Sequence, residues 1–560
     1  MQPSHYQRDI LDWIHAGRGH AIVEAVAGSG KTTTLQLLWE AVKAQPGDAV
    51  FLAFNNGIAN ELKTRLPGLR ASTIHALGRR LIARNLGIKS DPDSGKYQRL
   101  AAALINETRE GRLVPAKETT YVTRDLHRLA EFTRLTLTDP RDPAALLELV
   151  HHYEVVRYRR HQPLLEECLP LLPRLLERGL EEVRQGTLDY ADMVWAPVRL
   201  GLTHPAFTWM FVDEAQDLNA AQLELVVACR ADTGRLVFVG DPGQAIYGFQ
   251  GADPQSMTRI SRRVGAKNLP LSITYRCPVR HVELARRIVP AIEAAPGASL
   301  GVVGEPHVTQ AVAEMRDGDL VVCRKRIPLL YVWHALQRRG MPAWIDSSEE
   351  RGSDLTRTVR NYENGGLHIS ELRDAVRQDA SDAASREDEE RAELLWLLHA
   401  LIPDGSTSYR QISDYINSAF SPRADGVRCM TIHGAKGLEA DRVFLVRPDL
   451  LPDERAKGWQ YIQEENLLYV ALTRSRSELF VCQGTLRGEY QPNGGRFPGP
   501  LGTRFPRFRA DPTPVFEYSK PRPAPPTPEQ TRDAHIFVGG ICSRCGKAEK
   551  MAVRFGWRCE

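Results

Sequence analysis

This sequence predicts an α/β fold carrying helical insertions, with a small cysteine-bearing module at its C-terminus. Three observations lead there. An apolar run beginning with Ala21-Ile22-Val23 enters a glycine loop and then a segment of helical period. Short apolar runs ending in acids, amides or glycines recur between residues 48 and 240, and again between 319 and 482. Such runs suit buried strands. Between them, residues 76–205 show leucines three and four apart, the spacing of helices rather than strands.

Bulk properties narrow the class. At 560 residues, length suggests about three or four domains of ~150 residues each. Hydrophobic content of 42% and charged content of 25% are ordinary for globular protein, so several cores can form. A net charge of +4 neither requires nor opposes a nucleic-acid partner. No apolar run is long enough to span a bilayer, and MQPSHYQRDI lacks the pattern of a signal peptide. Six of the nine cysteines are scattered singly, which fits reduced thiols in a cytosol-like compartment. No membrane partner is expected, and the cytosol of a bacterium or of a phage-infected host is the expected location.

In chain order, HYQRDILDWIHAG reads as a short amphipathic helix with Ile10, Leu11 and Ile14 on one side. Gln7 at its start offers a donor and an acceptor, which suits the edge of adenine; an exposed polar residue is the rival. The stretch AVAGSGKT follows, with Ala25 where a P-loop usually opens on glycine. Gly28 and Gly30 let the backbone curl so that its N–H groups face phosphate oxygens at the positive end of a helix. Lys31 supplies a point charge for the terminal phosphates and Thr32 a hydroxyl for Mg²⁺. Ala27, Ser29 and Thr33 complete the nucleotide-binding set. A chance glycine turn is the rival, and the strand and helix on either side speak against it.

Asp48–Phe54 is a second strand running into Asn55 and Asn56, and Ala71–His75 a short strand end. Phe54, Asn55, Asn56, Thr73 and His75 suit stacking and phosphate contacts with single-stranded nucleic acid, although core packing also accounts for Phe54. The helical stretch that follows holds arginine-rich runs, read as a solvated face or a nucleic-acid surface. Phe207–Val212 then delivers Asp213 and Glu214. Asp213 would hold Mg²⁺ through water, and Glu214 would orient and deprotonate the attacking water. After the strand Arg235–Val239, Gln244 is placed to sense a γ-phosphate, while Tyr247 and Phe249 offer rings to bases.

These pieces resemble superfamily 1 helicases of the UvrD/Rep/PcrA type, with the F-box DNA helicases and their phage or bacterial relatives as the closer branch. The matching segments are Gln7, AGSGKT, AFNN, STIH, VDEAQD, GDPGQAIYGFQGAD, LSITYRCP, MTIHGAKGLE and ENLLYVALTRSRSEL, in the family's order up to about Cys482. The resemblance implies two RecA-like motor domains with ATP between them. The first would comprise 1–75 and 206–250, interrupted by a helical insertion at 76–205. The second would comprise 251–345 and 426–483, interrupted by a short helical insertion at 346–425, whose acidic run ASREDEERAELLWLL reads as a solvated helix. Tyr275 would stack on adenine, Arg276 reach the γ-phosphate, Arg474 act as a second arginine finger, and Glu439 contact the ribose. Thr431 and His433 repeat the strand-end tripeptide of Thr73 and His75, which suits two lobes gripping one strand. The second domain lacks a P-loop, so one ATP per chain is expected. The sequence departs from the family at Thr33, where arginine is frequent, at Phe249 in place of tryptophan, and at Gln250 in place of arginine.

Past Cys482 the resemblance stops. Residues 484–530 read as an extended Pro/Arg-rich linker. In 531–560, His535, Cys542, Cys545 and Cys559 make a one-His, three-Cys set with the spacing of a zinc knuckle, in a segment too short to bury a core. A redox CxxC or loose thiols are the rivals. The complete expectation is two RecA-like P-loop domains with helical insertions plus a C-terminal zinc-binding module. Its expected activity is that of an ATP-dependent DNA helicase acting on single-stranded and partly duplex DNA, with ATP, Mg²⁺ and Zn²⁺ as cofactors and 3′-to-5′ polarity implied by the resemblance. Two alternatives stand beside it: a translocase that displaces proteins without unwinding, and an ATP-switched loading factor whose zinc module binds DNA or a protein partner.

Overall fold

The computed structural model describes residues 3–486 apart from 43–48, 54, 66–67, 108–113, 116, 157–160, 249–250, 252–254, 347–348, 386–388, 404 and 454–455, together with four two-residue strands nearer the C-terminus. Six strands make the first sheet: β1 (Ala21–Ala25), β2 (Ala49–Ala53), β3 (Ala71–Thr73), β4 (Phe207–Val212), β5 (Arg230–Gly240) and β6 (Lys267–Leu271). Their order is β3-β2-β4-β5-β1-β6, parallel at every pairing. A short pair, β7 (Ile273–Thr274) and β8 (Glu293–Ala294), leads to the second sheet. That sheet holds β9 (Val302–Gly304), β10 (Leu320–Cys323), β11 (Ala343–Asp346), β12 (Val427–Thr431), β13 (Ala440–Val446) and β14 (Ser475–Cys482). Its order is β11-β12-β10-β13-β14-β9, again all parallel.

Side-chain alternation explains why β1 and β2 read as mostly apolar runs. In β1, Ala21, Val23 and Ala25 enter one core while Ile22 enters another; in β2, Phe51 faces the first core, and Val50 and Leu52 the second. Both faces of each strand are therefore buried. The core that receives Ile22 continues into the helices of the insertion, through Leu77, Leu104, Leu126 and Leu172. The insertion thus shares its core with the first sheet. Its centre also holds a fully buried ion cluster: Lys96 lies 2.7 Å from Asp192, and Arg134 lies 2.7 Å from Asp189 and 2.8 Å from Asp192. The Arg134 guanidinium also sits 3.6 Å from the centre of the Tyr97 ring.

Two expectations are corrected here. The strand expected over Ala71–His75 ends at Thr73, because the Thr73 hydroxyl accepts the Ala76 N–H (3.1 Å) and caps a helix beginning at Ile74. His75 therefore lies on that helix. The acidic run expected as a solvated helix divides between helices Leu372–Ser385 and Glu389–Leu401. Leu395, Leu397, Leu398 and Leu401 are buried in the second core beside Val376 and Ala380 of the preceding helix, so this run helps build that core.

The insertion also touches the second sheet's helix Trp459–Leu472. The Trp459 indole N–H donates to the His152 carbonyl (3.1 Å), and the two rings stack 5.1 Å apart. No helix among the described residues is long and apolar enough to cross a membrane. Residues 499–560 form a separate unit. In it, Phe537–Val538 pairs with Ile541–Cys542 and Ala552–Val553 with Gly556–Trp557, both antiparallel. The candidate zinc ligands His535, Cys545 and Cys559 lie outside the described residues, as does the side chain of Cys542. Among the described residues, no group of three or more His, Cys, Asp or Glu could hold a metal ion.

Candidate active site

The glycine loop forms where β1 gives way to the helix Lys31–Val42. Gly28 (φ 72°) and Gly30 (φ 79°) adopt the left-handed conformation that a side chain disfavours. Gly28 has a second constraint. A Cβ there would lie 2.6 Å from Arg276 Cβ and 2.7 Å from Thr274 Oγ1, and the Gly28 carbonyl accepts the Tyr275 N–H (2.8 Å). The loop thus rests directly on the Tyr275–Arg276 segment. Ser29 Oγ is buried without a hydrogen-bond partner, an orphan suited to a phosphate oxygen.

At the end of β4, Asp213 and Glu214 stand beside Lys31. Lys31 Nζ lies 2.7 Å from Glu214 Oε1; burial opposes its charge, but Glu214, Asp213 and Asp241 outweigh it and push its pKa up. Glu214 has a left-handed backbone (φ 51°), a strained geometry for a non-glycine residue. Burial disfavours its ionised form, yet Lys31 and Lys436 hold its carboxyl down at about 2. Burial, then the neighbouring Glu214, pushes Asp213 up to about 6. A buried acid that resists ionisation fits a position meant for a divalent cation.

The second sheet reaches these groups through four side chains. Arg474, completely buried, donates to Gln244 Oε1 (3.3 Å), Leu438 O (3.1 Å) and Val470 O (2.9 Å). Burial, and then Arg276, pushes its pKa down to about 10. Gln244 in turn donates to Asp241 Oδ2 (2.5 Å). Arg276 pairs with Glu439 and donates to the Thr473 carbonyl (3.4 Å), so the structure brings together three groups that the resemblance assigns to ATP: Arg276, Glu439 and Arg474. The other two side chains were not singled out in the sequence. Lys436 pairs with Asp217, donates to Gln244 O (2.8 Å) and lies 3.8 Å from Glu214. Tyr469 accepts the Ala27 N–H (2.9 Å). Their only sequence signal was membership of the GAKGLE and LLYVALTR segments, where a tyrosine among apolar residues reads as core.

The remaining candidates are placed as follows. Gln7 is buried; its Oε1 accepts the Ser4 N–H (3.0 Å) and its Nε2 donates to Thr34 Oγ1 (3.1 Å), so it caps its own helix and ties it to the P-loop helix. Tyr275 is 49% exposed, leaving a ring face open to solvent. Thr32 is half-buried and Thr33 exposed.

For the nucleic-acid set, Phe54 and Phe249 lie outside the described residues, and so does Gln250. Asn55 is exposed and accepts the Ile58 N–H (2.9 Å), with Asn56 exposed beside it at the start of a helix. Tyr247 does not project away from the cleft. Its hydroxyl donates to the His433 carbonyl (3.5 Å), and its ring centre is 4.8 Å from Lys436 Nζ. Thr73 and Thr431 repeat one local arrangement at the ends of β3 and β12, each hydroxyl accepting the N–H three residues on. Burial, with Arg324, Arg326 and Lys436, pushes His433 down to about 3, and burial lowers His75 as well. Both imidazoles can hydrogen-bond without carrying charge.

Residues 7–265 match the UvrD/REP helicase N-terminal domain family, and residues 350–484 the UvrD-like helicase C-terminal domain family. The ATP-dependent DNA helicase UvrD2 of Mycobacterium tuberculosis (strain ATCC 25618 / H37Rv) is 25% identical over 90% of this chain and 82% of its own length. DNA helicase II of Escherichia coli (strain K12) is 25% identical over 56% of this chain and 44% of its own. ATP-dependent DNA helicase Rep of the same strain is 27% identical over 48% and 41%.

Proposed function

The chain belongs to the UvrD/Rep helicase family, whose members are ATP-hydrolysing DNA helicases, and from that membership we propose that it tracks along single-stranded DNA 3′-to-5′ and separates the duplex ahead of it. The observation that carries this reading is Arg474: a guanidinium fixed on the second sheet's side that hydrogen-bonds Gln244 of the first, one residue away from the acid cluster. A planar cation donated across a cleft stabilises charge developing on a transferred phosphoryl group and makes hydrolysis sensitive to closure.

Each residue then has a role. The P-loop N–H groups and Lys31 hold the phosphates, Glu214 takes the proton of the attacking water, and Gln244 reports the γ-phosphate. Arg276 and Arg474 approach from the far side, while Tyr275 stacks on adenine and Glu439 meets the ribose. Thr32 and Asp213 would hold Mg²⁺, which neutralises phosphate oxygens during transfer. The strand is gripped near Asn55, Thr73 and His75 in one lobe and near Thr431 and His433 in the other, with residues 76–205 and 346–425 as insertions. His535, Cys542, Cys545 and Cys559 are proposed as a zinc site. Metal analysis of the full chain should find one Zn²⁺, lost in Cys542→Ser/Cys545→Ser.

The direct test measures ATPase with and without single-stranded DNA, then unwinding of 3′- and 5′-tailed duplexes. Strong stimulation with unwinding of the 3′-tailed substrate alone is expected. Streptavidin displacement without unwinding would instead indicate a translocase, and an ATPase indifferent to DNA would remove the motor reading.

A further inference from the structure

Tyr469 joins, through one hydroxyl, two loops that the proposed reaction uses for different purposes. It lies in the last turn of the helix Trp459–Leu472 and is completely buried. A phenol can accept and donate at once. Here the hydroxyl accepts the N–H of Ala27, within the glycine loop, at 2.9 Å, and donates to Asp241 Oδ2 at 3.4 Å. Asp241 also accepts from Gln244 Nε2 (2.5 Å), and Gln244 Oε1 accepts from Arg474 (3.3 Å). Arg474 is tied back to the same helix, its Nε donating to Val470 O (2.9 Å) and its Nη2 to Thr473 Oγ1 (3.1 Å). Thr473 Oγ1 in turn donates to Tyr469 O (2.8 Å). The bonds therefore close a ring of Tyr469, Asp241, Gln244, Arg474 and Thr473, and the glycine loop hangs from it through the Ala27 N–H.

The ring leaves little slack. Tyr469 packs on Gly243, where even a Cβ would stand 3.0 Å from Cε1 and 3.1 Å from Cδ1. Arg474 lies just past the helix end at Leu472, and its guanidinium is bonded back to Val470 O, so its placement follows that helix end. The Ala27 N–H belongs to the loop that cradles phosphate. Whatever phosphate does to that loop is passed to the helix end that carries the arginine.

We propose that Tyr469 is a positioning residue that locks the glycine loop to the placement of Arg474, so that triphosphate occupancy and arginine placement become one event. This rests on the ATPase reading above. Misplacing a transition-state group by about 1 Å is enough to lose ~100-fold in rate without touching ground-state binding. The hydroxyl should thus matter for turnover and not for affinity.

Tyr469→Phe in the full chain keeps the ring against Gly243 and removes only the oxygen. At saturating single-stranded DNA, kcat should fall about 10- to 100-fold. KM for ATP and the Kd of a fluorescent ADP analogue should stay within about threefold, and DNA affinity should be unchanged. Hydrogen exchange of the nucleotide-free protein should rise in peptides containing Ala27 and Gln244 together. Unchanged kcat overturns the proposal. So does a loss of ADP affinity matching the loss of rate, which would make Tyr469 a plain support of the pocket. A raised DNA-independent ATPase also overturns it, since the hydroxyl would then be a plug. If the wild type shows no DNA-stimulated ATPase, the function proposed above falls, and the exchange measurement still decides the tie: faster exchange at Ala27 with Gln244 unmoved refutes it.

Discussion

Asp213 and Glu214 are adjacent carboxylates held in opposite protonation regimes. Burial and its neighbour raise Asp213 to about 6, while Lys31 and Lys436 hold Glu214 near 2. The signs follow. A raised carboxyl contributes stability in its neutral form, so the nucleotide-free protein loses that contribution as pH rises through about 6. Glu214 contributes above the usual carboxylate range and loses its share only as pH falls toward 2. A cation at Asp213 competes with that proton, so raising Mg²⁺ should move the acid limb of the ATPase profile to lower pH, with Mg²⁺–nucleotide raising Tm more at pH 7.5 than at pH 5.5. Glu214→Gln keeps the shape and removes the base. Turnover should drop ~100- to 10,000-fold while binding of a non-hydrolysable ATP analogue persists. The retained Lys31 contact (2.7 Å) can still be made to an amide oxygen, which separates this variant from Lys31→Ala, where binding itself weakens.

The two glycines of the loop illustrate how an element constrains residues. Gly28 and Gly30 share positive φ, but only at Gly28 would a Cβ overlap a neighbour, at 2.6 Å from Arg276; at Gly30 the nearest atom is 3.9 Å away. In urea unfolding, Gly30→Ala should cost about 1 kcal/mol of backbone strain, and Gly28→Ala distinctly more, through the added overlap. In the insertion, Asp192→Ala strands Lys96 and Arg134 without their shared partner in a dry core, so about 3–5 kcal/mol should be lost. Elements were legible in the sequence to different degrees. Strands such as Phe207–Val212 could be read residue for residue, because five of its six residues are apolar and Thr208 is itself β-branched. Ala71–His75 could not, since a threonine hydroxyl capping a helix looks identical in sequence to one on a strand. Leu395–Leu401 was obscured by the acids before it; which face of that helix is covered depends on the helix Leu372–Ser385, a tertiary fact. Of the candidate site, Lys31, Asp213, Glu214, Gln244, Arg276 and Arg474 could be singled out because each lies in one of the short segments that carry the resemblance. Tyr469 and Lys436 were not, because their partners Ala27 and Asp217 are separated from them by hundreds of residues.

For the whole molecule, the glycine loop occurs once, on the first sheet, and the second sheet answers it with cations and a phenol. Titration with a fluorescent ATP analogue should therefore saturate at one nucleotide per chain, and two would contradict the division of labour between the sheets. The stack of Trp459 on His152 bears on how such a molecule moves. The insertion is rooted at both ends in the first lobe's sequence, yet its His152 is clasped by an indole from the other side. It is therefore a strut: in the proposed motor cycle, a parting of the lobes would either unclasp the two rings or drag the helices of the insertion along.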